Sequence, residues 1–226
     1  MGSTARDVRI FPGGIDGVLR VPRHAKGLVI FAHGTGSSRT SPRNVAVAMA
    51  LDEHGYATLL LDLLTTSEAT KHGQVFDVAL LALRLEHAIR WAAREPVTRD
   101  LRVGLFGAST GAAAALVAAS NLTHRVAAVV SRGGRPDLAG PSLEEVAAPT
   151  LLVVGSEDHG VLALNERALA RLHGPKDVAI VPRATHLFPE PGAMNHVVAH
   201  AIAWFDRYLA AQASSVTSPS LPQGAS

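Results

Sequence analysis

Strand-sized apolar runs alternate with helix-sized segments along nearly the whole chain, and this alternation limits the fold more than any other feature. Leu28–Ala32 and residues 57–62, 102–106, 126–130, 150–154 and 178–181 are short runs rich in Val, Leu, Ile and Ala. Strands of this kind, apolar on both faces, belong to a mostly parallel sheet covered by helices on each side. Residues 8–11 and 18–21 flank a Pro-Gly-Gly segment and read as an antiparallel pair at the sheet edge.

The helices are expected over 42–54, 75–94, 111–119, 164–172 and 195–209. Ser41 is a plausible N-cap for the first and Gly55 closes it. In the second, Phe76, Ala79, Leu80, Leu83, His87 and Trp91 fall on one face at helical spacing, and Pro96 follows its end. One domain over residues 1–213 accounts for this pattern, with 214–226 a Ser-, Pro- and Gly-rich tail expected to be disordered. Residues 63–73 form a polar loop suited to a pocket wall or small flap. The short stretch between residues 130 and 150 leaves no room for a large lid domain.

The sharpest local signal is Gly107, Ala108, Ser109, Thr110, Gly111, placed where a strand gives way to a helix of small residues. A nucleophile elbow needs this context: the serine sits in a strained turn, and small neighbours two positions away let the strand and helix backbones crowd together. The turn lifts the hydroxyl above the sheet and aims the Thr110 amide at the oxygen of a reacting carbonyl. A second signal, His33 to Ser38 (HGTGSS), follows strand Leu28–Ala32. Active sites of parallel sheets form at the carboxyl ends of strands, so this loop shares a rim with the elbow. The Thr35 amide is the candidate second oxyanion donor, and His33 is expected to orient the loop rather than exchange protons with substrate.

Asp158, in the sequence GSEDHG after the strand over 150–154, is the candidate acid, with Glu157 its nearest rival. A carboxylate here would hold an imidazole in the required tautomer and stabilise its charged form. His186, in ATHLF after the strand ending at Val181, is the candidate base among eleven histidines; His87 and His200 fall inside helices instead. The order Ser109, Asp158, His186 is the one that this arrangement uses when built on a parallel sheet.

Four stretches, 33–44 (HGTGSSRTSPRN), 106–115 (FGASTGAAAA), 131–137 (SRGGRPD) and 184–192 (ATHLFPEPG), resemble the dienelactone hydrolase-like branch of the α/β-hydrolases. The resemblance spans the chain from the His33 loop to the last helix. It implies an eight-stranded α/β-hydrolase fold, a Ser-Asp-His triad, and action on an ester or lactone. The namesake enzymes carry a cysteine where this chain has Ser109. Some members of the similar bacterial subgroup are fused to phosphoribosyltransferase domains, for which 226 residues leave no room.

The expected activity is therefore that of a serine esterase or lactonase acting on a small molecule. The alternatives are an acyltransferase or cyclase using the same three residues, and a noncatalytic ligand-binding protein on the same fold. Arg39, Arg132 and Arg135 lie in loops expected near the rim and are candidates for attracting an acidic substrate, against the plainer reading of surface ion pairs. No metal or cofactor is expected, since no HExxH-like spacing appears. The chain has no cysteine, which excludes disulfides and thiolate chemistry and fits a cytoplasmic location. A net charge of +2 with scattered basic residues argues against nucleic-acid binding. A polar start and the lack of a 20-residue apolar run argue against secretion or membrane insertion. An exposed edge strand is compatible with either a monomer or a homodimer.

Overall fold

The computed structural model describes residues 3–209. The tail expected over 214–226 lies outside the described residues. Eight strands form one sheet: β1 (Thr4–Ile10), β2 (Ile15–Val21), β3 (Leu28–Ala32), β4 (Ala57–Leu61), β5 (Val103–Ala108), β6 (Val126–Arg132), β7 (Thr150–Gly155) and β8 (Lys176–Val181), in the order β1-β2-β4-β3-β5-β6-β7-β8. The β1–β2 hairpin joins the sheet through an antiparallel β2–β4 pairing, and every later pairing is parallel. The expected α/β-hydrolase architecture is thus realised.

Burial explains the strand sequences. Every residue of β3, β4, β5 and β7 is buried, because helices cover both faces of the sheet centre. The edge strand β1 is mostly exposed and tolerates Thr, Arg and Asp. It therefore begins at Thr4, four residues before its apolar part suggests.

Helices α1 (Pro42–Glu53) and α8 (Ala193–Tyr208) cover one face, where Val47, Leu51, Trp204 and Phe205 meet Phe31 and Phe106. Helices α4 (Val78–Ala92) and α5 (Thr110–Asn121) cover the other, joined by α7 (His159–Arg171). Nearly all of α5 is buried, so its alanines set how closely it approaches the sheet.

The structure corrects three expectations. Helix α4 starts at Val78, where the Asp77 carboxylate accepts the Leu80 N–H and caps it. Its buried stripe is Leu81, Ala82, Leu85, Ala88, Ile89 and Ala92, whereas Phe76 and Leu83 are exposed. Two apolar stripes compete on this segment, and packing against the small residues of α5 selects the one with alanines. The loop over 63–73 contains two short helices, α2 (Thr66–Ala69) and α3 (His72–Val75). Helix α2 is held by a Thr65–Glu68 capping box and by an Arg84–Glu68 ion pair at 2.6 Å. Finally, α7 begins at His159, five residues earlier than expected. Between β6 and β7 there are only a 3-10 turn (Pro136–Ala139) and α6 (Ser142–Glu145), so no lid domain is inserted there. Among the described residues no helix is long and apolar enough to cross a membrane.

Candidate active site

The chain winds outward in both directions from β3, with β4 on one side and β5 on the other. Such a reversal opens a crevice beyond the strand ends. The loop after β3 and the turn after β5 stand on either side of it.

Ser109 sits in that turn with φ 51° and ψ −124°, a sparsely populated conformation for a residue with a side chain. Its neighbours explain how the turn survives. A Cβ on Gly107 would lie 2.5 Å from Ala112 Cα, and one on Gly111 would lie 2.2 Å from the Ala32 carbonyl oxygen. Both positions lack room for any side chain, so Gly111 lets α5 start directly against the end of β3. The backbone is further tied to the next strand: the Ser109 N–H donates to the Arg132 carbonyl at 3.3 Å, and the Arg135 N–H donates to the Ser109 carbonyl at 3.1 Å.

Asp158 follows β7 and occupies the N-cap position of α7, but its carboxylate accepts no helix N–H. That carboxylate instead meets His186 Nδ1 at 2.6 Å. Glu157, the rival, turns toward the Ser156 hydroxyl at 3.0 Å and is half-exposed. The His186 loop is fixed by Glu190, whose Oε1 accepts the Thr185 N–H at 3.1 Å and the Thr185 hydroxyl at 2.6 Å. The 133–135 segment lies between the serine and the histidine. A Cβ on Gly133 would stand 3.7 Å from His186 Cε1, and Arg135 bonds to Ser109 as above. Among the described residues Ser109 Oγ makes no hydrogen bond; such contacts are often long in an empty site and tighten with substrate.

His33 is buried, and burial holds its imidazole below the usual histidine range. The Leu63 N–H donates to its Nε2 at 3.1 Å, so the proton resides on Nδ1, which donates to the Gly34 carbonyl at 2.9 Å. A neutral His33 thereby links the loop after β3 to the end of β4, the orienting role expected of it. Thr35 and Thr110 are brought together. The Thr35 N–H donates to Thr110 Oγ1 at 3.0 Å, and the two hydroxyls are 3.0 Å apart. The Thr110 N–H, first in its helix, has no acceptor within the helix.

The three arginines separate. Arg39 is bound to the Asp62 carboxylate through both its backbone N–H and its guanidinium. Arg135 forms two 2.8 Å hydrogen bonds to Asp137. Both side chains are therefore neutralised by internal partners. Arg132 is buried and, among the described residues, pairs with no carboxylate.

A cavity of about 640 Å³ opens beside the Gly34–Thr35 loop, walled by Asp62, Leu64, Thr65 and Val75 and by Ile15 of the N-terminal hairpin. The flap touches the loop directly, since the Thr35 hydroxyl donates to the Val75 carbonyl at 3.1 Å. Two residues that sequence reasoning misses matter here. Asp62, which anchors Arg39, stands at a strand end, and that position is the one signal that marks it. Asn165, fully buried in α7, donates to the Gly134 carbonyl at 3.0 Å and holds the 133–135 segment, and no local signal marks it.

The Dienelactone hydrolase family model matches residues 15–211. The chain belongs to the dienelactone hydrolase family. A dienelactone hydrolase from Anabaena variabilis is 51% identical, with a TM-score of 0.88 over 92% of this chain and 98% of that one. Est1E from Butyrivibrio proteoclasticus shares the fold at 15% identity, with a TM-score of 0.71 over 92% of this chain and 98% of the other. Two Mycobacterium tuberculosis strains carry a protein named "Putative phosphoribosyl transferase", 54% identical over 198 residues and 88% of this chain. The match covers 45% of those relatives, so the chain spans less than half their length.

Proposed function

We propose that this family member is a serine hydrolase that cleaves a carboxylic ester or lactone through an acyl-enzyme on Ser109. The observation that carries the reading is the 2.6 Å Asp158–His186 contact, made on the same rim as a serine held in a strained strand-to-helix turn. With Nδ1 engaged by the carboxylate, His186 Nε2 is the nitrogen left to take the hydroxyl proton as Ser109 Oγ attacks the carbonyl carbon. Collapse of the tetrahedral intermediate breaks the bond to the leaving oxygen, which departs with the proton from His186. Water, activated by the same nitrogen, then cleaves the acyl-enzyme and restores the hydroxyl.

The oxyanion would be held by the N–H groups of Thr110 and Thr35, oriented before charge develops. For the Thr35 amide to serve, the Thr110 hydroxyl that now accepts it must rotate away. The cavity beside Thr35 would receive one arm of the substrate. The similarity to the Anabaena protein, a dienelactone hydrolase by name, supports carbonyl hydrolysis as the reaction class.

The test is incubation with a small fluorophosphonate, read by intact mass beside Ser109→Ala. A single adduct on the parent, missing from the variant, is the expected outcome; no adduct on folded parent protein refutes the reading. An absent adduct would move the assignment to a protein that uses this fold only to hold a ligand. Product analysis with an added alcohol separates hydrolysis from acyl transfer.

A further inference from the structure

Three hydrogen bonds tie the loop after β3 to the elbow and to the flap. The Thr35 hydroxyl donates to the Val75 carbonyl at 3.1 Å, the Thr35 N–H donates to Thr110 Oγ1 at 3.0 Å, and the two hydroxyl oxygens are 3.0 Å apart. A hydroxyl carries one proton. Val75 takes that of Thr35, so Thr110 is the donor between the two hydroxyls while its oxygen accepts the Thr35 N–H. The direction of each bond is thereby fixed from the flap inward. Thr110 is engaged as donor and as acceptor by one residue, and bonds chained in this way polarise and strengthen one another.

The consequence falls on the Thr35 amide, whose hydrogen is directed at a neutral side-chain oxygen. Releasing it requires the Thr110 hydroxyl to turn, which breaks both of its bonds to Thr35. With Val75 withdrawn, the Thr35 hydroxyl is free to turn as well, and the group loses the bond that orders it. Val75 is the last residue of α3, a four-residue helix without a side-chain cap. Thr35 and Val75 both line the cavity of about 640 Å³, so an arm of a ligand seated there lies against both partners of the bond between them. The group is a latch, fastened at the wall of the cavity where an arm would bind.

We propose that the Thr110 hydroxyl is a positioning group that keeps the Thr35 amide from the oxyanion until a substrate arm fills the cavity and parts Val75 from Thr35. This deepens the serine-hydrolase reading and rests on it. An arm too short to reach Val75 reacts with the Thr110 N–H alone as oxyanion donor, whereas an arm that reaches it gains the Thr35 N–H. Contact remote from the reacting carbonyl then appears as a faster chemical step and not only as tighter binding. The favoured substrate class is an ester with one arm long enough to touch the flap.

The experiment follows acylation of Ser109 in single turnovers, as the maximal rate and the concentration that gives half of it. The substrates are aryl acetate, butyrate and hexanoate in one series, and the acetates of ethanol, butanol and hexanol in the other. In the parent the maximal rate should rise along one series by about tenfold, the scale of one or two neutral hydrogen bonds. Thr110→Val should raise the rate of the shortest ester by a similar factor and flatten that series, with half-saturation little changed. Thr110→Ser keeps the hydroxyl and should keep the parent profile. Thr35→Val, at an exposed position, removes the bond to the flap and should also flatten the series; it carries the comparison if Thr110→Val does not fold. Flat series in the parent, a Thr110→Val that slows all esters alike, or a Thr110→Ser that behaves as Thr110→Val would each overturn the proposal. Failure of the hydrolase reading is visible separately, as a missing fluorophosphonate adduct, and the kinetic claim falls with it. Hydrogen exchange at the residue 35 amide then decides the latch alone: it should be severalfold faster in Thr110→Val than in the parent, and equal rates overturn the latch as well.

Discussion

Gly111→Ala should damage both stability and reactivity, because the new methyl group has only backbone to displace. Its Cβ would sit 2.2 Å from the Ala32 carbonyl oxygen and 2.5 Å from that of His33, where ordinary contact begins near 3.4 Å. Roughly 1 Å must therefore be found between the start of α5 and the end of β3, at an overpacking cost of about 2 kcal/mol. For a domain of this size that corresponds to a fall in Tm of roughly 4–8 °C. The displacement cannot be absorbed away from the site. Either α5 moves, carrying Ser109 and Thr110, or the loop with His33 and Thr35 moves. A shift of about 1 Å in either should slow fluorophosphonate labelling of Ser109 by roughly 100-fold. The assay is the labelling rate by intact mass, paired with thermal unfolding. Gly160→Ala is the control, since nothing lies within 4 Å of that added Cβ and the position is in α7; it should be neutral or slightly stabilising. Parent-like labelling and Tm in Gly111→Ala would refute the claim that backbone crowding positions the serine.

Asp158→Asn should leave the fold intact and lower the labelling rate by about 10⁴-fold, since an amide no longer holds His186 in the tautomer that frees Nε2; a loss under tenfold would count against the assigned acid. His33 is held below its ordinary pKa of 6.5, so below that pH the unfolded chain binds a proton that the folded protein refuses. The neutral His33 thus contributes stability at neutral pH that is lost as pH falls below about 6.5, and His33→Gln should flatten the Tm-against-pH curve between pH 7 and 5; an unchanged slope would contradict this. Asn165→Ala removes the bonds to the Gly134 and Val161 carbonyls and should cost about 1–3 kcal/mol, measured by denaturant unfolding, with slower labelling as the 133–135 segment loosens.

The chemistry is readable where it depends on local sequence. The elbow at Ser109 declares itself because the turn excludes side chains at 107 and 111, a constraint written as two glycines. Asp158 and His186 are readable as candidates because each follows a strand, and the structure brings the two side chains into contact at 2.6 Å. Features set by packing are not accessible in the same way. The buried stripe of α4 depends on the small residues of α5, over thirty positions away. Helix α2 lacks an apolar pattern and is held by its capping box and the Arg84–Glu68 ion pair, and the short α3 follows it without a side-chain cap. The different fates of Arg39, Arg132 and Arg135 depend on which carboxylates fold nearby, and the three arginines look alike in sequence.

The cavity is lined by residues between Arg9 and Leu81, all preceding β5, whereas Ser109, Asp158 and His186 all follow its start. The stretch joining α4 to β5 is therefore a natural recombination point: exchanging what precedes it would replace the cavity walls while leaving the three residues of the proposed triad untouched. Such exchanges would have to keep the seams that cross this point: the β3–β5 pairing, the packing of α4 on α5, and the contact of Gly111 with the Ala32 and His33 carbonyls. Binding preference and reactivity can consequently diverge along separate lineages of substitution, provided that these seams are inherited intact.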